Sequence, residues 1–470
     1  MNSSLCLQTS LKPGDSRTIN PAPSSKIPLR NPYRALLSRE YPEPLIALLT
    51  FILGIWLWDH YFGKSAGYAP GTEQVALIKI DRDMRLADAM NEDSALLRWL
   101  AGAAKPAAVR SDGLAALRKL AADGSAGLPA LEAFAILKAT DENQPLRQTL
   151  AETMQGQMTP DFMETSIALA NHRGNWWQAR WVEAMEKDMP PACQWREIYQ
   201  KDSRQLRNRA IIARSWVWLL GLAGMAFIPR TLVGWKNSLR AKPTGYGGAW
   251  PLALGITVFL VATLAWIGFT SALDFGIGTL PGLHPLAGIL LDSAARLLPA
   301  LIALGLLFRR PGHVVRILGL GRPFAAASVL GVFSLLMLVD FLLRAVIGGH
   351  AAEPGGGLGT GESGIWGLVF AVVSACLLAP LAEELLYRGV LFRSFWIRLG
   401  VLPAALVSST IFAVLHFYDG YGLLSVGCFG LSCALLYAST GSLVSCIVLH
   451  LLYNTSIKVP EWLIYHAPLG

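Results

Sequence analysis

Three short strings in the last third of this 470-residue chain place ionisable and amide side chains inside apolar sequence: Glu383-Glu384-Leu-Leu-Tyr387-Arg388, Phe412-Ala-Val-Leu-His416 and His450-Leu-Leu-Tyr453-Asn454. In a helix Glu384 and Arg388 stand at i and i+4, so the arginine can hold that carboxylate ionised and oriented. Glu383 points about 100° away, which frees it for other work. A carboxylate in a low-dielectric pocket beside a histidine can act as a general base toward water. His450 and Asn454 share the i, i+4 spacing, and both can donate hydrogen bonds to a developing oxyanion.

Each string also has a plain reading. A Glu-Glu-x-x-x-Arg string suits a solvated helix end with one ion pair, a lone His416 can be packed and hydrogen-bonded, and a His/Asn pair can simply join two helices. A charge at the bilayer centre costs at least about 2.5–3.5 kcal/mol and marks a cavity or a site. Three such interruptions on three successive late segments therefore carry more weight than any one of them. A further i, i+4 pair, Asp340 and Arg344, is expected to neutralise itself, with a substrate carboxylate on Arg344 as the alternative. Tyr387, four residues after Glu383, is read as packing. His284, His313, His350 and His466 join no constellation.

The elements that must carry these strings are membrane helices. The chain is 53% hydrophobic and only 15% charged, with a mean hydropathy of +0.42, where soluble domains carry roughly a quarter charged residues. Its formal charge of +8 is accounted for by cytoplasmic loops, and no basic-aromatic stripe points to nucleic acid. Cys376, Cys428, Cys433 and Cys446 lie in apolar runs, apart from Cys6 and Cys193, so neither a disulfide framework nor a CxxC site is implied. Two histidines with one or two glutamates have the ligand types of a zinc site, but the HExxH spacing is absent and the residues are spread over three helices. No metal and no cofactor are assigned. The glycine-rich loop at 353–361 lacks the Lys-Ser/Thr of a phosphate loop and reads as a linker.

Apolar runs long enough to cross the bilayer fall at 45–62 and then at 212–229, 249–271, 286–308, 325–347, 364–382, 401–418, 420–438 and 442–458. The expected fold is thus all-α, with eight or nine transmembrane helices and an extracytoplasmic α-helical domain inserted after the first span. The expected segments are a basic cytoplasmic tail (1–44), an uncleaved anchor (45–62), the helical domain (63–211), transmembrane helices (212–324) and a core (325–470). Lys12, Arg17, Lys26, Arg30, Arg34 and Arg39 precede the first span. Alternation from there puts the basic connections 229–248, 309–324 and 381–400 on the same side, whereas 272–285 and 348–363 contain no Lys or Arg. This orients the N-terminus to the cytoplasm and suits a bacterial inner membrane, with Arg204, Arg207, Arg209 and Arg214 awkwardly outside. In the domain, Leu114, Leu117 and Leu120, then Leu128, Leu131, Phe134 and Leu137, recur every three residues, a helical period. Its Trp176, Trp177, Trp181 and Trp195 are read as core or interface in preference to a ligand face.

One expectation concerns depth. A span starting near Val401 carries His416 about 22 Å along its axis, out of reach of a Glu383 at the end of 364–382. Either the glutamate helix continues through Pro380 to about Phe395 within the membrane, or the next span begins later and tilts; the apolar face from Leu385 to Ile397 favours the first.

The three strings, in this order on consecutive late segments, resemble the motifs of the CAAX-protease and bacteriocin-processing family of intramembrane proteases, to which the type II CAAX prenyl endopeptidase belongs. The resemblance covers roughly 325–458. It implies a glutamate-type intramembrane endopeptidase acting on a membrane-associated protein or peptide. In it Glu383 with His416 activates water for attack on a peptide carbonyl, His450 and Asn454 stabilise the oxyanion, and Glu384 and Arg388 orient the site. Prenylated CAAX proteins are one implied substrate class. The domain at 64–209 would recruit a membrane-tethered protein partner. The competing classes are a non-catalytic membrane scaffold or immunity-type binding protein and, behind it, a proton-relaying transporter.

Overall fold

A computed structural model of the chain describes residues 72–122, 126–153, 176–177, 179–180, 192–240, 250–277, 284–308, 310–347, 364–416 and 420–466. The tail, the first predicted span, the loop at 353–361, His350, Trp181 and the Trp195 side chain lie outside the described residues.

Every described element is a helix. The polar stretch contains α1 (Thr72–Ala89), α2 (Ala95–Ala101), α3 (Pro106–Ala122), α4 (Leu128–Glu142) and α5 (Leu146–Thr153). Leu114, Leu117 and Leu120 of α3 are buried against Leu77, Ile80, Met84 and Ile136. In α4 the three-residue spacing marks a helix but not its buried face. At 100° per residue, Leu128 and Leu137 lie about 180° apart, so Leu137 is in the core while Leu128 is exposed and Ala130, Ala133 and Ile136 complete the buried face. Trp176 is fully buried. Its backbone N–H donates to Asp81 at 2.5 Å, its indole donates to Asp88 at 2.8 Å, and Trp177 packs edge-on against it. These two tryptophans are core.

The membrane part differs from the sequence reading at several boundaries. The predicted border at 211–212 falls inside one helix, α6 (Ala192–Met225), which leaves the domain and enters the apolar region without a break. Two of its awkward arginines have places beside the domain: Arg207 makes a paired contact to Asp93 at 2.6 and 2.7 Å, and Arg214 lies against Gly102. Helix α6 bends by 62° into α7 (Ile228–Arg240) at residues 226–227, where Pro229, lacking an N–H, leaves the Met225 carbonyl without its ladder donor. The predicted loop 229–248 is thus helical over most of its length. Helices α8 (Leu252–Ile277), α9 (Pro285–Leu307), α10 (Pro311–Leu318) and α11 (Ala326–Ile347) follow. Helix α11 meets α6 and α7 through two glycines: a Cβ at Gly224 would overlap Ser334 and the Leu330 carbonyl, and one at Gly331 would overlap Thr231 and the Phe227 carbonyl. Close backbone approach of this kind drives association where lipid removes the hydrophobic drive.

The predicted span 364–382 does not end at 382. The helix α12 runs through five consecutive segments, Gly364–Val369, Phe370–Leu378, Ala379–Glu383, Glu384–Phe392 and Arg393–Leu399, of which the second and fourth have the wide i→i−5 hydrogen-bond pattern. Residues 381–400 are therefore not a cytoplasmic loop. Arg388 and Arg393 are 2% and 1% exposed inside the bundle, which removes them from the charge tally that oriented the chain. Gly400, at φ 85°, a conformation L side chains avoid, turns the chain into α13 (Val401–Val414). At 14 residues α13 reaches only part of the way across, in place of the span predicted at 401–418. Helix α14 (Gly420–Thr440) and α15 (Leu443–Tyr465) complete the bundle, joined by a turn at Gly441 with φ 64°.

Among the described residues six helices are long and apolar enough to span a membrane, or seven if the bent pair α6–α7 is one span. The chain is an integral membrane protein. The far end of α15 meets the helical domain: Ile464 joins Leu86, Met90 and Ala101 in a small core, and Arg82 pairs with Glu461 at 3.0 Å. The Gly441 turn lies at the other end, against Gly319, where Arg393 donates to the Ile317 carbonyl.

Candidate active site

Helix α12 carries Glu383 near the middle of the candidate span Ile365–Trp396, 13 residues or about 20 Å from Trp396, and the chain returns from Val401 to His416 over 15 residues or about 22 Å. The two climbs match. The structure accordingly puts the Glu383 Oε2 3.9 Å from His416 Nε2 and 3.8 Å from His450 Nε2. The same oxygen is buried and has no hydrogen-bond partner among the described residues, although the Glu383 side chain as a whole is 26% exposed. Distances of 3.8 and 3.9 Å are too long for direct hydrogen bonds and leave a place for a water that donates to Glu383 and to one of the two imidazoles.

The second nitrogen of each ring fixes its tautomer. His416 Nδ1 lies 2.7 Å from the Phe412 carbonyl, which can only accept. The proton therefore sits on Nδ1, and in the neutral ring Nε2 presents a lone pair toward Glu383. His450 Nδ1 lies 2.8 Å from Glu384 Oε1, so a hydrogen bond to that carboxylate requires the proton on Nδ1 here too. Glu384 is completely buried. It receives Arg388 at 2.9 Å on the same oxygen, and Arg388 also donates to the Gly430 carbonyl at 3.0 Å. The adjacent glutamates thus have different environments: Glu383 has a water-accessible face, whereas Glu384 is enclosed with a guanidinium and an imidazole.

Phe412 is the hub of this packing. Arg388 lies over its ring at 4.6 Å, His416 packs at 4.5 Å and Tyr387 stands edge-on at 4.8 Å. Tyr387 is buried between Phe412 and Phe259, a packing role. Phe429 stands against the His450 ring at 4.7 Å.

Asn454 does not point its amide at Glu383. Its Nδ2 donates to the Ala375 carbonyl at 2.8 Å. The reason lies in α12: Ala379 N–H bonds to the Ser374 carbonyl, five residues back. In that register the next donor, for Ala375, would be residue 380, a proline with no N–H. Asn454 supplies the missing hydrogen bond.

The pair Asp340 and Arg344 is joined at 2.8 Å, with Tyr421 hydrogen-bonded to both. His284 caps α9, His466 meets Arg82 at 2.6 Å, and His313 lies in α10. One polar cluster was not singled out from the sequence: Asp292 and Arg296 of α9 with Ser374 of α12. Its signal was present, an i, i+4 acid–base pair in an apolar run of the same kind as Asp340 and Arg344. Among the described residues no group of three or more His, Cys, Asp and Glu side chains is arranged to hold a metal ion.

An all-helical membrane bundle enclosing an acid, two imidazoles and a buried ion pair defines the class. Comparison with known proteins narrows it. Residues 365–456 match the family described as Rce1-like, type II CAAX prenyl endopeptidase Rce1-like. Over 90 residues, 19% of this chain, the sequence is 30% identical to the Bacillus subtilis (strain 168) protein named "Putative membrane peptidase YdiL", and the match spans 36% of that protein. These likenesses support the CAAX-protease and bacteriocin-processing family for this part of the chain, and all three motifs lie within 365–456. No solved structure matches.

Proposed function

We propose that the chain is an intramembrane endopeptidase that hydrolyses a peptide bond of a membrane-associated protein or peptide. The observation that carries this reading is the approach of His416 Nε2 and His450 Nε2 to a single oxygen of Glu383. A water held there loses its proton to the Glu383 carboxylate as it attacks the carbonyl. One imidazole Nε2 lone pair accepts the water's other hydrogen, and the proton taken up by Glu383 is handed to the leaving amine as the C–N bond breaks. Glu384 and Arg388 set the His450 ring. Asn454 is assigned to shaping α12 and not to the oxyanion, since its amide is used on Ala375.

The substrate is proposed to be membrane-tethered, recruited by the helical domain that adjoins α15, with the N-terminus cytoplasmic in a bacterial inner membrane. The test compares membranes holding the wild-type protein with membranes holding Glu383→Gln at equal abundance, by mapping protein N-termini. New termini that depend on Glu383 are expected. Identical terminus profiles in the two membranes would remove the protease reading and favour a non-catalytic scaffold.

A further inference from the structure

Helix α9 carries Asp292 and Arg296 within a candidate span, Leu286–Leu307. It lies outside the matched segment 365–456. Both residues engage one side chain of α12. Arg296 Nε is 2.7 Å from Asp292 Oδ2 and 2.8 Å from Ser374 Oγ, and the Ser374 hydroxyl donates to the same Asp292 oxygen. Ser374 is completely buried and Asp292 is 9% exposed. An acid and a base in mid-span are costly unless they are paired and used, and the catalytic roles already assigned do not use them.

Their position along α12 indicates their use. Ser374 lies in the wide segment Phe370–Leu378, nine residues or about 13 Å before Glu383. The very next residue, Ala375, takes the Asn454 amide through its carbonyl. Helix α12 is therefore gripped at two successive residues from two different helices, by α9 through the Ser374 side chain and by α15 through the Ala375 backbone. The wide pattern is the less favourable helical form and recurs at functional sites. If part of this segment reverted to the ordinary i→i−4 spacing, every later residue would rotate about the helix axis. Glu383 Oε2 would then leave its place between the two imidazoles.

We infer that Asp292 and Arg296 are positioning residues: with Ser374 they lock the register of α12 and thereby aim Glu383 at His416 and His450. The inference rests on the protease reading for its kinetic consequence but not for its structural one.

The test uses the full chain in lipid nanodiscs with two variants. Asp292→Asn/Arg296→Met removes both charges together, so no unpaired charge is left in the membrane. Ser374→Ala removes only the hydroxyl that connects the pair to α12. Side-chain-resolved cryo-electron microscopy is expected to show Glu383 Oε2 withdrawn from both Nε2 atoms in the double variant, to more than about 5 Å, beyond the reach of one shared water. On a substrate found by terminus mapping, kcat is expected to fall at least tenfold in the double variant and severalfold in Ser374→Ala, with KM within twofold of wild type. Unchanged Glu383 geometry in the folded double variant would overturn the lock. So would a rise in KM at constant kcat, which would make Arg296 a substrate-binding group. A wild-type protein that cleaves nothing would remove the protease reading and leave the structural comparison as the deciding test of the lock.

Discussion

The buried pair of Glu384 and Arg388 provides a quantitative test of how the site is held. Glu384 is 0% exposed and Arg388 2% exposed. Replacing either one by methionine leaves the other charge enclosed, and breaking a buried pair this way costs about 3–5 kcal/mol. Arg388→Met also loses the contact over the Phe412 ring at 4.6 Å, on the order of 2 kcal/mol when desolvated, so it is expected at the upper end of the range. The double variant Glu384→Met/Arg388→Met removes both charges, which by itself comes out near neutral, and leaves the cost of the His450 Nδ1–H and the Gly430 carbonyl without partners, about 1–3 kcal/mol each. The singles should therefore be far from additive, with a coupling energy of at least about 3 kcal/mol. Denaturant unfolding in micelles, followed by tryptophan fluorescence, reads all four proteins. Activity should separate from stability, because the double variant regains the fold while His450 still lacks its Nδ1 acceptor. Single variants costing less than about 1 kcal/mol, the value of an exposed pair, or a double variant as unstable as the sum of the singles, would refute the reasoning.

Further expectations follow from the same contacts. Asn454→Ala should cost about 1–3 kcal/mol by orphaning the Ala375 carbonyl, and clearly less in a Pro380→Ala background, where residue 380 regains an N–H; equal costs in both backgrounds would disprove the repair role. Gly224→Ala, whose Cβ would overlap Ser334 and the Leu330 carbonyl, should destabilise the contact of α6 with α11 by about 1–3 kcal/mol, measured by the same unfolding assay. Arg207 holds the Asp93 carboxyl below the usual carboxylate range through its hydrogen bonds. Because the folded-state affinity for a proton is reduced, the contact stabilises fully above the ordinary aspartate range and is lost as pH falls through the depressed value. Hydrogen-exchange protection around α2 should thus drop below about pH 4, and Arg207→Ala should abolish that dependence.

The residues of the site were legible because membrane sequence makes charge conspicuous. Glu383, Glu384, Arg388, His416 and His450 stand out of apolar runs, and the structure gathers all five. The depth argument also favoured a helix α12 that continues past Pro380 over a later, tilted next span, and the helix does continue. Hydropathy alone missed this, because Arg388, Arg393 and Arg398 mimic the charge of an inner loop while two of the three are buried. The partner of Asn454 was out of reach, as it depends on a wide helical register that residue types do not announce. Periodicity found helices in the polar stretch but did not mark the buried face of α4, where exact three-residue spacing drifts half a turn between Leu128 and Leu137. Asp292 and Arg296 were readable in kind, but only contact with Ser374 connects them to the site.

The central claim is that Glu383 draws a proton from a water that itself attacks the substrate. A single turnover in water enriched in oxygen-18, with the products and the enzyme's own Glu383 analysed by mass spectrometry, tests it most directly. The account predicts one heavy oxygen in the new C-terminal carboxyl group and none in Glu383. Heavy oxygen in Glu383, with ordinary oxygen in the product, would show a covalent acyl intermediate and contradict it.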